Sequence, residues 1–102
     1  MRQFVFSDRA EASFDSILEW TLEIFGARQL DKYRDTLLER CIALTNGTAQ
    51  HQSCRAVFAN DLREDLRFAR AGQHFVIFVE TPDEVMIVDF LHQSADIGGR
   101  LG

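Results

Sequence analysis

The chain has 102 residues, of which 46% are hydrophobic and 26% are charged, a length and balance typical of one globular domain. Its net charge of −5 disfavours direct binding of nucleic acid, because such binding depends on an excess of Lys and Arg. The sequence pattern shows no membrane segment, secretory leader or disulfide framework, so we expect a cytoplasmic protein without membrane contact.

The first half of the chain predicts a strand and two helices. Residues 3–6 form a short apolar run typical of a strand, and Asp8 then stands three positions before Glu11, a spacing typical of a helix start. The apolar stripe of the first helix comprises Ala10, Phe14, Ile17, Leu18, Thr21 and Phe25. The stripe of the second helix comprises Leu30, Tyr33, Leu37, Cys41 and Leu44. Gly26 and Gly47 predict the helix ends, and the short link predicts a helical hairpin.

The second half of the chain predicts a loop and then strands. Residues 48–62 have a mixed composition and predict a loop, with an extended piece near Val57 and Phe58. The strands of an antiparallel meander are predicted over residues 65–70, 73–80 and 85–92. The order βααβββ predicts a single α+β domain over residues 1–102. We expect the first strand and the helical hairpin to pack on one face of the antiparallel sheet.

The pairing of the strands decides which side chains face the helices. We expect Glu80 to lie opposite Val85, and Arg70 opposite Gln73. Slipping the last hairpin by one residue would bury Asp89, and an unpaired carboxylate in the core is costly. In the expected register, the face against the helices contains Leu66, Phe68, Phe75, Ile77, Val79, Met86, Val88 and Phe90.

The opposite face of the meander is also largely apolar. It contains Arg67, Ala69, His74, Val76, Phe78, Ile87, Asp89 and Leu91. A pair of helices covers only one side of a sheet, and an exposed apolar patch of this size is unusual on a monomer. We therefore expect a partner protein or a second copy to cover it, unless residues 48–62 or the tail fold over it.

Residues 62–101 resemble the carboxy-terminal half of ParE-type toxins of the RelE/ParE superfamily. The matching positions are Leu66-Arg67, Gly72 followed by His74, Ile87-Val88, Leu91-His92-Gln93 and Asp96 to Leu101. The first half is similar to the family at Trp20, Ile24-Phe25-Gly26 and Tyr33. The resemblance therefore covers nearly the whole chain.

This resemblance implies a bacterial toxin of a type II toxin-antitoxin pair. It implies a ParD-like antitoxin whose carboxy-terminal segment wraps around the toxin, and DNA gyrase as the target, stalled after DNA cleavage. The chain departs from the family at Phe78-Val79, where relatives commonly carry Tyr-Arg, and at Asp89, where they carry Arg. A weakly toxic or inactive member that only binds a partner protein is therefore an alternative.

Two surfaces are expected from the resemblance and the register together. The expected antitoxin contacts are Arg67, His74, Val76, Phe78, Ile87, Asp89 and Leu91. The expected target contacts are His92, Gln93, Arg100 and Leu101. Because Gly98 and Gly99 disfavour a helix, we expect a mobile tail that can be removed after Gln93 while the domain stays folded.

A RelE-like, ribosome-dependent ribonuclease is the alternative within the same superfamily. His74 and His92 are its acid-base candidates, because histidine titrates near neutral pH, and Arg67 could hold a phosphate. The expected register places the two histidines on opposite faces, so we expect a binding protein and not an enzyme. His51-x-x-Cys54 supplies fewer ligands than a zinc site needs, so we expect no metal and no other cofactor.

Overall fold

A computed structural model describes residues 2–102. In chain order, its elements are β1 (Gln3–Phe6), α1 (Asp8–Phe25), α2 (Ala27–Asn46), β2 (Gln52–Ser53), α3 (Cys54–Val57), β3 (Arg67–Ala71), β4 (His74–Glu80), β5 (Glu84–His92) and α4 (Ile97–Leu101). The predicted α+β class is confirmed. The expected loop contains β2 and α3, and Val57 ends a helical turn where the sequence predicted an extended piece.

The strands form one sheet in the order β1-β5-β4-β3-β2. The long strands β3, β4 and β5 form the predicted antiparallel meander. At one edge β1 runs parallel to β5, with Gln3 beside Glu84 and Phe6 beside Ile87. At the other edge, β2 pairs with β3 only as far as Phe68. The rest of β3 therefore forms an open edge.

The start of α1 and the ends of both long helices are at residues that satisfy free backbone groups of the helix termini. Ser7, rather than Asp8, caps α1, and its Oγ accepts a hydrogen bond from the Ala10 N–H at 3.0 Å. Gly26 joins the helices, and Gly47 ends α2 in the left-handed region at φ 72°. The predicted helical hairpin is confirmed. Within residues 2–102, no helix is both long and apolar enough to span a membrane.

The register between β4 and β5 follows the prediction only along half of the hairpin. Glu80 lies opposite Val85 as expected, but a β-bulge interrupts the ladder after Phe78. Beyond the bulge, Asp89 lies opposite Ile77, so the expectation that this pairing is avoided is wrong. The bulge adds one residue to β5 and so shifts all later pairs by one.

Burial of the Asp89 carboxylate is tolerated because it is hydrogen-bonded. Its Oδ1 accepts from the Ser13 hydroxyl at 2.6 Å and from the Phe90 N–H at 2.8 Å. Asp89 as a whole is only 5% exposed. The sequence pattern gives this carboxylate no partner, whereas Ser13 of α1 supplies one in the folded chain.

The predicted register between β3 and β4 is wrong by two residues. Arg70 lies opposite Phe75 instead of Gln73, and Ala71 lies opposite His74. The connection is a tight two-residue turn at Gly72-Gln73, where Gly72 adopts φ 60°. Because side chains alternate with a period of two, this difference leaves each residue on its predicted face.

The helices cover the face of the sheet that the sequence predicted to be open. Residues Val76, Phe78 and Ile87 pack in one core cluster with Leu37 and other residues of α1 and α2. A second cluster on the other face comprises Cys54, Leu62, Leu66, Phe68, Ile77, Leu91 and Ile97. The predicted assignment of the two faces is therefore wrong, and the chain covers both faces itself. Of the set expected beneath the helices, Phe90 does pack there, because the bulge displaces it.

A Gly72→Ala substitution is expected to lower the free energy of unfolding by about 1–3 kcal/mol. Gly72 has a positive φ, and an added Cβ would lie 2.6 Å from Tyr33 Cε1. Urea unfolding measures the loss. The matched control is Gly26→Ala, which has φ 90° but no neighbouring atom within 4 Å of the added Cβ. Equal losses in the two variants would contradict a role for the Tyr33 contact.

Candidate functional site

A cleft lies between α1 and the ends of β4 and β5. It consists of three adjoining cavities of about 350, 320 and 280 Å³, and His74 and His92 line all three. The α1 side chains on one wall include Ser13, Ser16, Ile17, Trp20 and Phe25. Tyr33 and Gln73 close one end of the cleft, and Arg100 lies at the other.

The two histidines of the cleft are direct neighbours. His74 and His92 lie opposite each other on β4 and β5, and their ring centroids are 5.2 Å apart with nearly perpendicular planes. The prediction that they lie on opposite faces is wrong. The β-bulge shifts the register by one residue and thereby moves His92 to the side of His74.

Tyr33 fixes the orientation of His74. The Tyr33 hydroxyl accepts a hydrogen bond from the Gln73 N–H at 3.0 Å and lies 2.5 Å from His74 Nδ1. The hydroxyl also lies 3.5 Å from the Ala71 carbonyl, to which it can donate, so the contact with His74 Nδ1 holds the ring in place in either tautomer. Burial raises the pKa of Tyr33, so this hydroxyl keeps its proton at neutral pH.

The environment of His74 favours its neutral form. Burial, together with the neighbouring His92, lowers the pKa of His74 to about 4. His92 is exposed, and its Nδ1 accepts from the Ser94 N–H at 3.1 Å. The cleft thus contains one partly buried, neutral imidazole and one exposed imidazole side by side.

Stability is expected to fall as the pH falls from 6.5 towards 4. The unfolded chain binds a proton at His74 near the ordinary pKa of 6.5, whereas the folded chain binds it only near 4. The unfolded state therefore holds more protons in this window, and acid favours unfolding. A His74→Gln variant should lose less thermal stability over the same window. NMR titration of the His74 ring is the direct check, and a midpoint near 6.5 would contradict the burial argument.

Large apolar side chains project into solvent at the rim of the cleft. Trp20 is 56% exposed and Phe25 is 57% exposed, and their rings make an edge contact with centroids 5.6 Å apart. Ile24, on the same turn of α1, is 57% exposed. Trp20 and Tyr33 were not predicted as site residues. Trp20 adjoins the apolar stripe without belonging to it, and this position was the available signal of exposure.

The predicted antitoxin-binding residues are mostly inaccessible. Val76, Phe78 and Ile87 are each 0% exposed beneath α1 and α2, and Asp89 and Leu91 are each 5% exposed. The expectation that these residues offer an open surface is wrong, because the helices and the tail cover them. The remaining two are partly accessible. These are His74, in the cleft, and Arg67, whose Nε donates to His51 Nδ1 at 2.6 Å.

The predicted target-binding residues lie on and beside a folded tail. Ile97 is 4% exposed, and Asp96 caps α4 by accepting from the Gly99 N–H at 3.2 Å. The expectation of a mobile tail is therefore wrong. His92, Gln93 and Arg100 are exposed, whereas Leu101 packs partly against the second core cluster.

The His51 and Cys54 pair does not form part of a metal site in the region that the structure describes. His51 Nδ1 accepts from Arg67, and burial raises the pKa of the Cys54 thiol to about 11. Across residues 2–102, no three His, Cys, Asp or Glu side chains are grouped so as to hold a metal ion.

Comparisons with known proteins agree with this architecture. Residues 4–97 match the family model described as ParE toxin of type II toxin-antitoxin system, parDE. No curated protein sequence matches the chain significantly. The chain is similar to a solved structure described as the chromosomal ParDE TA system from P. aeruginosa, with a TM-score of 0.68 and 15% identity over 90% of this chain and 95% of that one. On the family match over residues 4–97, this chain belongs to the ParE toxin family of type II toxin-antitoxin systems.

Proposed function

We propose that this chain is a cytoplasmic toxin that binds and poisons DNA gyrase, and that a ParD-like antitoxin neutralises it. The observation that carries the proposal is the family match over residues 4–97. The toxin acts by binding, and it blocks replication by stalling gyrase after DNA cleavage. The net charge of −5 supports a protein target over a direct nucleic-acid target.

The rim of the cleft is the surface that we assign to the target. Trp20 and Phe25 supply exposed aromatic area, and aromatic residues and Arg carry much of the energy of protein interfaces. His92, Gln93 and Arg100 are exposed near the same cleft and add hydrogen-bonding groups. This surface keeps the predicted tail contacts and adds the rim of α1 to them.

Ribonuclease activity is a second candidate, which the adjacency of His74 and His92 supports. A neutral His74 could accept a proton, and an accessible His92 could donate one, within the same cleft. Arg100 lines a cavity that both histidines share, and it could contact a phosphate. A weakly toxic member that only binds a partner protein is the third candidate.

Purified protein is tested in a gyrase supercoiling and cleavage-complex assay and, in parallel, for ribosome-dependent cleavage of message. We expect trapped cleaved DNA and intact message. Trp20→Ala should weaken the trapping by about tenfold or more, because it removes a central aromatic contact. The control is Ile42→Ala, which removes a similarly exposed apolar side chain, 49% exposed, on α2. Message cleavage that His92→Ala abolishes would support the ribonuclease instead, and inactivity in both assays would leave the third candidate.

A further inference from the structure

A large cavity lies beside the open edge of β3. This groove has a volume of about 870 Å³, and its walls include Arg40 of α2 and Gln50 and Phe58 of the segment around β2 and α3. Phe68, Arg70 and Phe75 form its floor. We call it the edge groove. It lies at the β2 side of the sheet, whereas the histidine cleft adjoins α1.

Arg70 presents unpaired backbone groups to the edge groove. The Cys54 N–H donates to the Leu66 carbonyl at 3.0 Å, so Leu66 directs its backbone groups towards β2. Antiparallel strands alternate in this respect, and Phe68 and Arg70 therefore point the same way. Phe68 pairs with Gln52, where β2 begins, so Arg70 has no strand beside it. An added strand would find one free N–H and one free carbonyl there.

The side chains of the edge groove select the chemistry of an occupant. Phe58, Phe68 and Phe75 form an aromatic cluster with ring centroids 4.6 to 5.6 Å apart, and Phe58 and Phe75 are partly exposed. Arg40 and Arg70 form no ion pair with any carboxylate of residues 2–102. The groove is thus locally basic on a chain whose net charge is −5. It matches an extended segment with an apolar residue and acidic neighbours.

The two sides of the edge groove match the alternating side chains of an added strand. Arg40 belongs to α2, on the helix face of the sheet, whereas the aromatic cluster belongs to the opposite face. Successive residues of an added strand point to opposite faces. An acidic residue would meet Arg40, and its neighbour would contact the phenylalanines.

A second copy of this chain fits the edge groove poorly. Pairing two β3 edges antiparallel would bring Arg70 of each copy close to the other, and like charges across adjacent strands are destabilising. The chain's own strand pairing also stops before Arg70, because β2 begins at Gln52 opposite Phe68 and β3 continues to Ala71. A different polypeptide is therefore the occupant that the charges favour.

We infer that the edge groove binds an extended, acidic segment of the antitoxin, which adds a strand to the sheet beside Arg70. This inference rests on the proposed function and assigns the partner a surface different from the one that the sequence predicted. Backbone pairing with Arg70 supplies the orientation. The carboxylates that meet Arg40 and Arg70, and the apolar residue on the phenylalanines, supply the selectivity.

The test uses the full toxin and a purified ParD-like antitoxin. Amide hydrogen exchange at Arg70 should slow by about tenfold or more in the complex, because its N–H gains a partner. Arg40→Glu should weaken antitoxin affinity by about tenfold or more. The control is Arg28→Glu, which makes the same charge change at an exposed position at the start of α2, outside the groove.

A pair of substitutions at Arg70 separates the backbone contact from the charge. Arg70→Ala and Arg70→Pro both remove the guanidinium, and only proline also removes the outward N–H. We expect the Arg70→Pro variant to bind the antitoxin about tenfold more weakly than the Arg70→Ala variant does. A loss of this size is typical of one hydrogen bond. Should the proline variant not fold, hydrogen exchange in the unaltered protein still decides.

The possible outcomes separate the groove from the proposed function. Protection of the Arg70 amide together with weakened Arg40→Glu binding supports the inference. A second outcome is that the toxin binds the antitoxin tightly, while exchange of the Arg70 amide and the affinities of the Arg40 and Arg70 variants stay unchanged. This outcome overturns the edge groove as the binding site and leaves the proposed antitoxin partner intact. Absence of binding by the unaltered toxin overturns both.

Discussion

A Phe78→Ala variant is expected to lose about 3–5 kcal/mol of unfolding free energy. Phe78 is 0% exposed, and it packs in the core cluster between the sheet and the two long helices. Removing its ring leaves a cavity that the surrounding helices cannot fill completely. A domain of this size typically has about 5–15 kcal/mol of stability in total, so the variant loses a large part of it.

Urea unfolding of Phe78→Ala measures this loss, and Trp20→Ala is the control. Trp20 is 56% exposed, so its truncation should change the unfolding free energy by about 0.5 kcal/mol or less. A similar small change in both variants would mean that the face containing Phe78 is open, as the sequence pattern first indicated.

Removal of residues 94–102 is expected to destabilise the domain by about 2–5 kcal/mol, the range for deleting a buried Ile side chain. Ile97 is 4% exposed and packs with Leu62, Leu66 and Leu91 in the second core cluster. Truncation would expose these partners to water. Loss of toxicity on truncation would therefore report partial unfolding as well as loss of a contact surface.

Thermal unfolding of the truncated chain is the measurement, and Arg100→Ala is its control. Arg100 is exposed, so this variant should unfold at nearly the same temperature as the unaltered protein. A truncated chain with unchanged stability would restore the picture of a mobile tail. Arg100→Ala also tests the target contact without disturbing the core.

The helices and the meander were predictable because their signals are local. The apolar stripe through Leu37, Cys41 and Leu44 has a helical period, and Gly47 ends it in the conformation that glycine favours. The resemblance to ParE toxins also depends on short local motifs, and the family match confirms it. Local patterns thus gave the class, the element order and the family.

The assignment of the two sheet faces failed because both faces are apolar. Strand β4 reads His-Phe-Val-Ile-Phe-Val-Glu, so its alternate residues form two sets of similar hydrophobicity. The choice between the sets depended on keeping Asp89 out of the core. In the folded chain, Asp89 is buried with Ser13 as its partner. This contact between α1 and β5 leaves no trace in the alternation of residues along β5.

The candidate site failed for a second reason, the β-bulge in β5. The ladder breaks between Ile77 and Phe78, and the pairing of His74 with His92 depends on that break. One extra residue cannot be recognised in an apolar stretch of sequence, because it is one hydrophobic residue among several. The histidine cleft therefore emerges only from the three-dimensional pairing.

The pairing of β1 with β5 has a consequence for biosynthesis. The first strand finds its parallel neighbour only after residues 84–87 have been made. Contacts this distant in sequence are slow to form, since the long intervening loop must close first. A nascent chain on the ribosome consequently lacks the completed sheet until residues 84–87 have emerged and β1 can pair with them.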